Sequence, residues 1–238
     1  MNKLLTAFSL FMISPILLAG SVRISPVQVD FVDQDKSASI MLSNESINPN
    51  NLQIRVFKWE QDAIGTDQLL ATNEIAVSPS IVNMQSNGVN NIRLVRINNT
   101  QVQSEQAYRI IVDELPKPID SRKVSNGLQV LVRSSLPLFV VNSKNISDLK
   151  AQLISVDNKI FVQVENIGTR HILLQELSVF DKNTSQKYKI NVNTVNGYLL
   201  AGKSKQYEIL DSILNTKKLN DNSIYRIEIK TNGKDLSF

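Results

Sequence analysis

Apolar and polar residues alternate with a period of two through nearly all of this 238-residue chain, while the 3.6-residue stripe of an amphipathic helix is almost absent. Extended backbone points successive side chains to opposite faces, so this alternation predicts strands with one buried face each. The first half reads as seven strands: Val22 to Val32, Ser37 to Asn44, Leu52 to Glu60, Ile75 to Val82, Asn91 to Ile97, Ala107 to Leu115 and Leu128 to Val141. Turn-forming clusters separate them, among them Asp33-Gln34-Asp35, Asn48-Pro49-Asn50, Ser86-Asn87-Gly88 and Ser125-Asn126-Gly127. After the polar connector Asn142 to Ser147 the pattern restarts, with strands over Leu149 to Val156, Lys159 to Glu165, His171 to Phe180, Gln186 to Val192, Lys205 to Leu210 and Ile224 to Thr231.

The fold class is therefore all-β. Strand number and turn spacing predict two Ig-like β-sandwich domains, over residues 21–143 and 144–238. Their short connector leaves little freedom, so they should sit at a fixed angle with a cleft between them. One strand stands apart. Leu128 to Val141, LQVLVRSSLPLFVV, is more than twice the usual strand length of about five or six residues. Leu128, Val130 and Val132 share one face of it, although Leu131 places an apolar residue on the other. Spare apolar edge invites pairing with another chain. Period alone favours these residues lining their own core, and excess length favours a client.

Residues 1–20 read as a secretory leader, with Lys3 as the basic start, Leu4 to Ile13 as the apolar stretch and Pro15 to Gly20 leading to cleavage near Gly20 or Ser21. Interrupted by Ser9, Ser14 and Pro15, the run falls short of the roughly 20 residues needed to span a bilayer, so export without membrane insertion is expected. The mature chain would carry 25 Lys and Arg against 22 Asp and Glu, too mild an excess to call for nucleic acid. With no Cys, the fold must stand on hydrophobic cores rather than disulfides.

Enzyme chemistry finds little support. No thiol nucleophile exists, the single His171 opens a strand, and no GxSxG elbow or glycine-rich phosphate loop is present. One histidine and scattered carboxylates form no metal-ligand cluster, so neither cofactor nor metal is expected. Trp59 and Tyr108 read as packing residues.

Four segments carry a resemblance: Val22 to Pro26 (VRISP), Arg55 to Trp59 (RVFKW), Ala107 to Pro116 (AYRIIVDELP) and Leu128 to Val140. In this order, behind a leader and ahead of a second β domain, they resemble the N-terminal domain of the periplasmic pilus-assembly chaperones of the chaperone–usher pathway. The resemblance implies a protein that binds pilin subunits by donating a strand to their unfinished Ig-like fold, blocks premature polymerisation and delivers them to an outer-membrane usher. Leu128, Val130 and Val132 match the family's donor positions. The family also anchors the subunit's terminal carboxylate on basic residues in the cleft, but Gln28 and Pro137 occupy the matching positions here, a departure that resembles the archaic branch. Candidate replacements are Arg133 and Arg93, ranked first, then Arg109 and Arg23. A free protein with an uncapped strand could mask it by pairing as a homodimer. The alternative reading is a two-domain β-sandwich surface adhesin or pilus subunit.

Overall fold

Strands account for the regular structure in a computed structural model, which describes residues 22–98, 100–116, 130–157, 159–209, 224–233 and 235–238. The expected leader and Leu128 lie outside the described residues. The first half contains ten strands: β1 Val22–Ser25, β2 Val29–Val32, β3 Ser37–Asn44, β4 Asn50–Gln61, β5 Asp67–Ala71, β6 Ile75–Ser78, β7 Ile81–Met84, β8 Val89–Arg96, β9 Gln106–Glu114 and β10 Arg133–Val141. One sheet runs β1-β3-β8-β6; the facing sheet runs β2-β10-β9-β4-β5, with β7 also on β4. Phe31, Ile40, Leu42, Leu52, Ile54, Met84, Ile92, Leu94, Ile110 and Leu138 fill the space between the two.

Two of the expected strands are each a pair. Val22 to Val32 breaks at a cis Ser25–Pro26 bond, so that β1 joins β3 in one sheet and β2 joins β10 in the other. Ile75 to Val82 breaks likewise at cis Ser78–Pro79, sending β6 to β8 and β7 to β4. Each half keeps its apolar residues toward the shared core, but the phase reverses at the crossing, from Val22 and Ile24 to Val29 and Phe31 and from Ile75 and Val77 to Val82 and Met84. The exposed β5 has no buried face and so leaves no periodic signal.

The overlong seventh strand is also corrected. Its ladder begins at Arg133, opposite Asp113, and ends at Val141; before Arg133, only the Val132 carbonyl is added, accepting from the Glu114 N–H at 3.0 Å. Val132 meets the last residue of β9, Glu114, and Val130 and Leu131 lie beyond it.

The second half comprises β11 Leu149–Val156, β12 Lys159–Asn166, β13 Ile172–Asp181, β14 Gln186–Ile190, β15 Tyr198–Leu199, β16 Ser204–Glu208, β17 Tyr225–Thr231 and β18 Asp235–Ser237. A sheet β11-β12-β16 faces a sheet β14-β13-β17-β18, with β15 on β13, over a core that includes Val162, Val164, Leu174, Val179, Leu199 and Ile229.

The halves meet through a separate apolar cluster of Trp59, Ala107, Phe139, Val141 and Leu200, with Tyr198 packed against it. These first-half residues lie on the outer face of the β10-β9-β4 sheet, so that sheet is buried on both sides near its end. Polar ties lock the contact. The Gln61 side chain donates to the Tyr198 carbonyl at 2.9 Å and accepts from the Leu200 N–H at 3.0 Å. Glu105 receives the His171 ring Nδ1 at 2.8 Å and its backbone N–H at 3.1 Å. Gly65, at φ +88°, lets the β4–β5 turn lie on β16, where an added Cβ would come 2.5 Å from the Lys205 Cγ. Gly65→Ala is expected to destabilise the protein by about 1–3 kcal/mol, from backbone strain and this clash together, seen as a lower Tm in thermal unfolding.

Candidate functional site

The site is the exposed flank of β10. Because the Glu114 N–H reaches the Val132 carbonyl, the even-numbered residues of β10 direct their backbone groups to β9, and alternation turns those of Arg133, Ser135 and Pro137 the other way. β2 covers that outer flank only from Leu138 onward. Among the described residues, the backbone groups of Arg133 and Ser135 on this edge are left without a strand partner. Pro137, which has no N–H, is tolerated in the strand because its nitrogen faces this edge rather than β9.

Side chains of the same stretch divide between two environments. Leu136, Leu138 and Val140 point into the first core, and in that phase Val132 and Ser134 line the mouth of the sandwich with Val22, Ile24 and Leu52. Val130 is 70% exposed and Val132 42%. The opposite phase faces the second half, with Phe139 and Val141 in the junction and Pro137 at the rim of a cavity.

That cavity, of about 400 Å³, is the cleft between the halves, lined by Asp67, Leu69, Arg109, Ser135 and Pro137 from the first and by Thr194, Val195 and Tyr198 from the second. Arg109 lies at its base, its guanidinium 3.6 Å from the Trp59 ring centroid and 5.3 Å from that of Tyr198. Burial pulls the Arg109 pKa below its ordinary value, partly offset by the charge of Asp67. Among the described residues it makes no salt bridge. Asp67 lines the same cavity without making an ion pair with the guanidinium, so among the described residues the donors of Arg109 stay available to an incoming anion. Trp59 Nε1, buried at the same place, also lacks a hydrogen-bond partner.

The other candidate arginines lie elsewhere. Arg133, at the start of β10, is paired with Asp113 at 2.5 Å, and Arg55 reaches the same carboxylate at 2.6 Å. Burial raises the Asp113 pKa, but hydrogen bonds from Arg133 and Arg55 outweigh it and hold the group below the ordinary carboxylate value. Arg93 is exposed on the opposite sheet, its Nη2 donating to the Ser37 hydroxyl at 3.4 Å. Arg23 is exposed on that sheet too, beside Glu45 at 3.2 Å. The ranking of Arg133 and Arg93 ahead of Arg109 therefore finds no support in the geometry, since neither belongs to the cleft. Sequence reasoning did not single out Tyr198 or Leu69, which belong to a two-residue strand and an exposed edge strand with no periodicity to notice.

His171 is neither catalytic in setting nor a surface residue: its side chain is 6% exposed and that of Glu105 1%, with the imidazole stacked on Phe139 at 3.7 Å between centroids. Tyr108 donates its hydroxyl to Glu74, and burial pushes its pKa well up.

The family profile described as "Pili and flagellar-assembly chaperone, PapD N-terminal domain" matches residues 21–144. The chain is 27% identical over 184 residues to the "Chaperone protein LpfB" of Salmonella typhimurium, an alignment covering 77% of this chain and 74% of that protein. It is 29% identical over 134 residues to the "Probable fimbrial chaperone LpfB" of Escherichia coli O157:H7, covering 56% and 54%. In structure it is similar to a chain of the CsuC–CsuE chaperone–tip adhesion subunit complex from archaic chaperone–usher pili of Acinetobacter baumannii, with a TM-score of 0.67, 23% identity and coverage of 92% and 97%. It is similar also to the YadV chaperone, with a TM-score of 0.63, 14% identity and coverage of 92% and 100%. The structural likenesses bear on the two-domain fold.

Proposed function

The chain belongs to the family of PapD-type pilus-assembly chaperones, and from that premise we propose that it acts in the periplasm, capturing pilin subunits on the open edge of β10 and passing them to an outer-membrane usher. The observation that carries this reading is the flank at Arg133 and Ser135, which has no strand partner among the described residues and is continued by the exposed Val130 and Val132. A subunit strand laid along that flank would take up the free backbone groups of Arg133 and Ser135, while Leu128, Val130 and Val132 would enter the subunit's apolar groove. Gln28 and Pro137, at the positions where the family carries its basic anchors, support a place in the archaic branch. The family profile ends at residue 144 and no described sheet crosses the connector, which supports drawing the domain boundary between Ser143 and Lys144.

Arg109 is the anchor this geometry favours for the subunit's terminal carboxylate, replacing the basic residues that Gln28 and Pro137 do not supply. The cleft admits an extended chain end from the β10 side, and the guanidinium at its base offers paired donors to a carboxylate. No catalytic group, cofactor or metal enters this function. In the free protein the same open edge could pair with that of a second copy, a self-capped homodimer that a subunit would displace.

The test is co-expression with a pilin subunit and co-purification from the periplasm. Val130→Asp is expected to abolish recovery of the complex, with a loss of affinity of at least about 100-fold, because a carboxylate replaces an apolar side chain in a groove. Its Tm should match wild type, since the Val130 side chain is mostly in solvent. Undiminished recovery with Val130→Asp would remove Val130 from the donor face.

A further inference from the structure

Where β10 leaves its sheet, two consecutive carboxylates of β9 hold it from opposite faces. Glu114, on the core-facing side, makes a reciprocal contact with Val132: its backbone N–H donates to the Val132 carbonyl at 3.0 Å, and its Oε2 accepts the Val132 N–H at 3.3 Å. A regular antiparallel pair would return that second bond to the Glu114 carbonyl; here the side chain takes it. Asn50 Nδ2 donates to the other oxygen, Oε1, at 3.0 Å and steadies the carboxylate. Asp113, on the cleft-facing side, binds the Arg133 Nε at 2.5 Å, and Arg55 at 2.6 Å fixes it from β4. Residues 132 and 133 are thus gripped at successive positions on both faces, at the point where the regular ladder stops.

From this juxtaposition we infer that Asp113 and Glu114 are positioning residues that hold the donor segment extended before a subunit arrives. The inference rests on the strand-donation reading above and gives it a mechanism. Without the grip, Val130 to Val132 would be a frayed end that must be ordered on every encounter, and prior ordering removes that entropic penalty. A carboxylate side chain also suits the position better than a ladder bond: it can swing while keeping hold of the Val132 N–H, so the segment can adjust its twist to a groove without losing its partner. The bonds lie on the β9 side and leave the outer flank of Arg133 and Ser135 open.

Amide hydrogen exchange resolved at single residues tests the clamp in the free, full mature chain. Val132 is expected to exchange about tenfold faster in Glu114→Ala than in wild type, the loss of one charge-assisted hydrogen bond. Glu114→Gln keeps an acceptor and should restore most of the protection. Asp113→Ala should speed exchange of the Arg133 Nε–H. Thermal unfolding of the same variants, expected within a few degrees of wild type, separates local release from general loosening. Unchanged Val132 exchange in Glu114→Ala, or equal acceleration throughout β9 and β10, would overturn the clamp. A second arm reads the complex with a co-expressed pilin, where the Arg133 and Ser135 amides should become protected. If the free-protein results hold but those two amides stay fast in the complex, it is strand donation along this flank that fails, and with it the purpose assigned to the clamp.

Discussion

His171→Ala is expected to destabilise the protein by about 3 kcal/mol, because it removes a ring that hydrogen-bonds a buried carboxylate and leaves that carboxylate short of a partner. The cause lies in what remains. Glu105 Oε2 is 2.8 Å from the His171 ring, and its side chain is almost wholly enclosed; truncation leaves the carboxylate with the backbone N–H of residue 171 alone. The imidazole also stacks on Phe139, so the same change opens a gap in the cluster joining the two halves. Differential scanning calorimetry should show Tm lower by about 6–12 °C for a chain of this size. His171→Phe fills the gap but still strands the carboxylate, so it should recover only part of the loss. A variant as stable as wild type would mean that Glu105 finds solvent or another donor, and that the halves are held mainly by the apolar cluster and Gln61.

The second large effect concerns Arg109. Arg109→Ala is expected to weaken pilin capture by about 100-fold, within the range seen when one member of a desolvated charge pair is truncated. Arg93→Ala and Arg23→Ala serve as controls, since both side chains are in solvent on the sheet remote from the cleft. Competitive binding of a pilin whose C-terminus is amidated provides the complementary measurement: the wild-type protein should lose affinity for it, while Arg109→Ala should scarcely distinguish the two subunits. Equal losses in both proteins would separate Arg109 from the carboxylate. Because Arg109 also covers Trp59, the Tm of the variant needs to be read alongside; stacking of this kind contributes about 0.5–2 kcal/mol.

Much of the architecture was legible along the chain. β3 and β11 run from Ser37 to Asn44 and from Leu149 to Val156, as the alternation predicts, and β9 differs from its expected span by one residue at each end. What failed did so for identifiable reasons. Two expected strands each cross between sheets, and the reversal of phase there, from Ile24 to Val29 and from Val77 to Val82, was read as continuous alternation. The exposed β5 and the two-residue β15 bury too little to leave a pattern, and together they bring Leu69 and Tyr198 to the cleft.

The candidate site shows the same division. An apolar segment running past its sheet could be noticed from length alone, and the exposures of Val130 and Val132 are consistent with a segment reaching outward. The arginines could not be sorted. Arg133, Arg93, Arg109 and Arg23 are all basic residues on strands, and a sequence records neither the carboxylate that Arg133 meets in Asp113 nor the aromatic rings that enclose Arg109.

By itself, then, the sequence determined the inward and outward residues of the strands with one buried face and the presence of two β-sandwiches, because side-chain alternation is a local property of extended backbone. Only the tertiary structure decided which flank of β10 stays unpaired, which arginine reaches the cleft and how His171 ties the halves together. Those outcomes depend on residues such as Glu105 and His171, 66 positions apart, being brought within 3 Å, and charge pairing acts through space rather than along the chain.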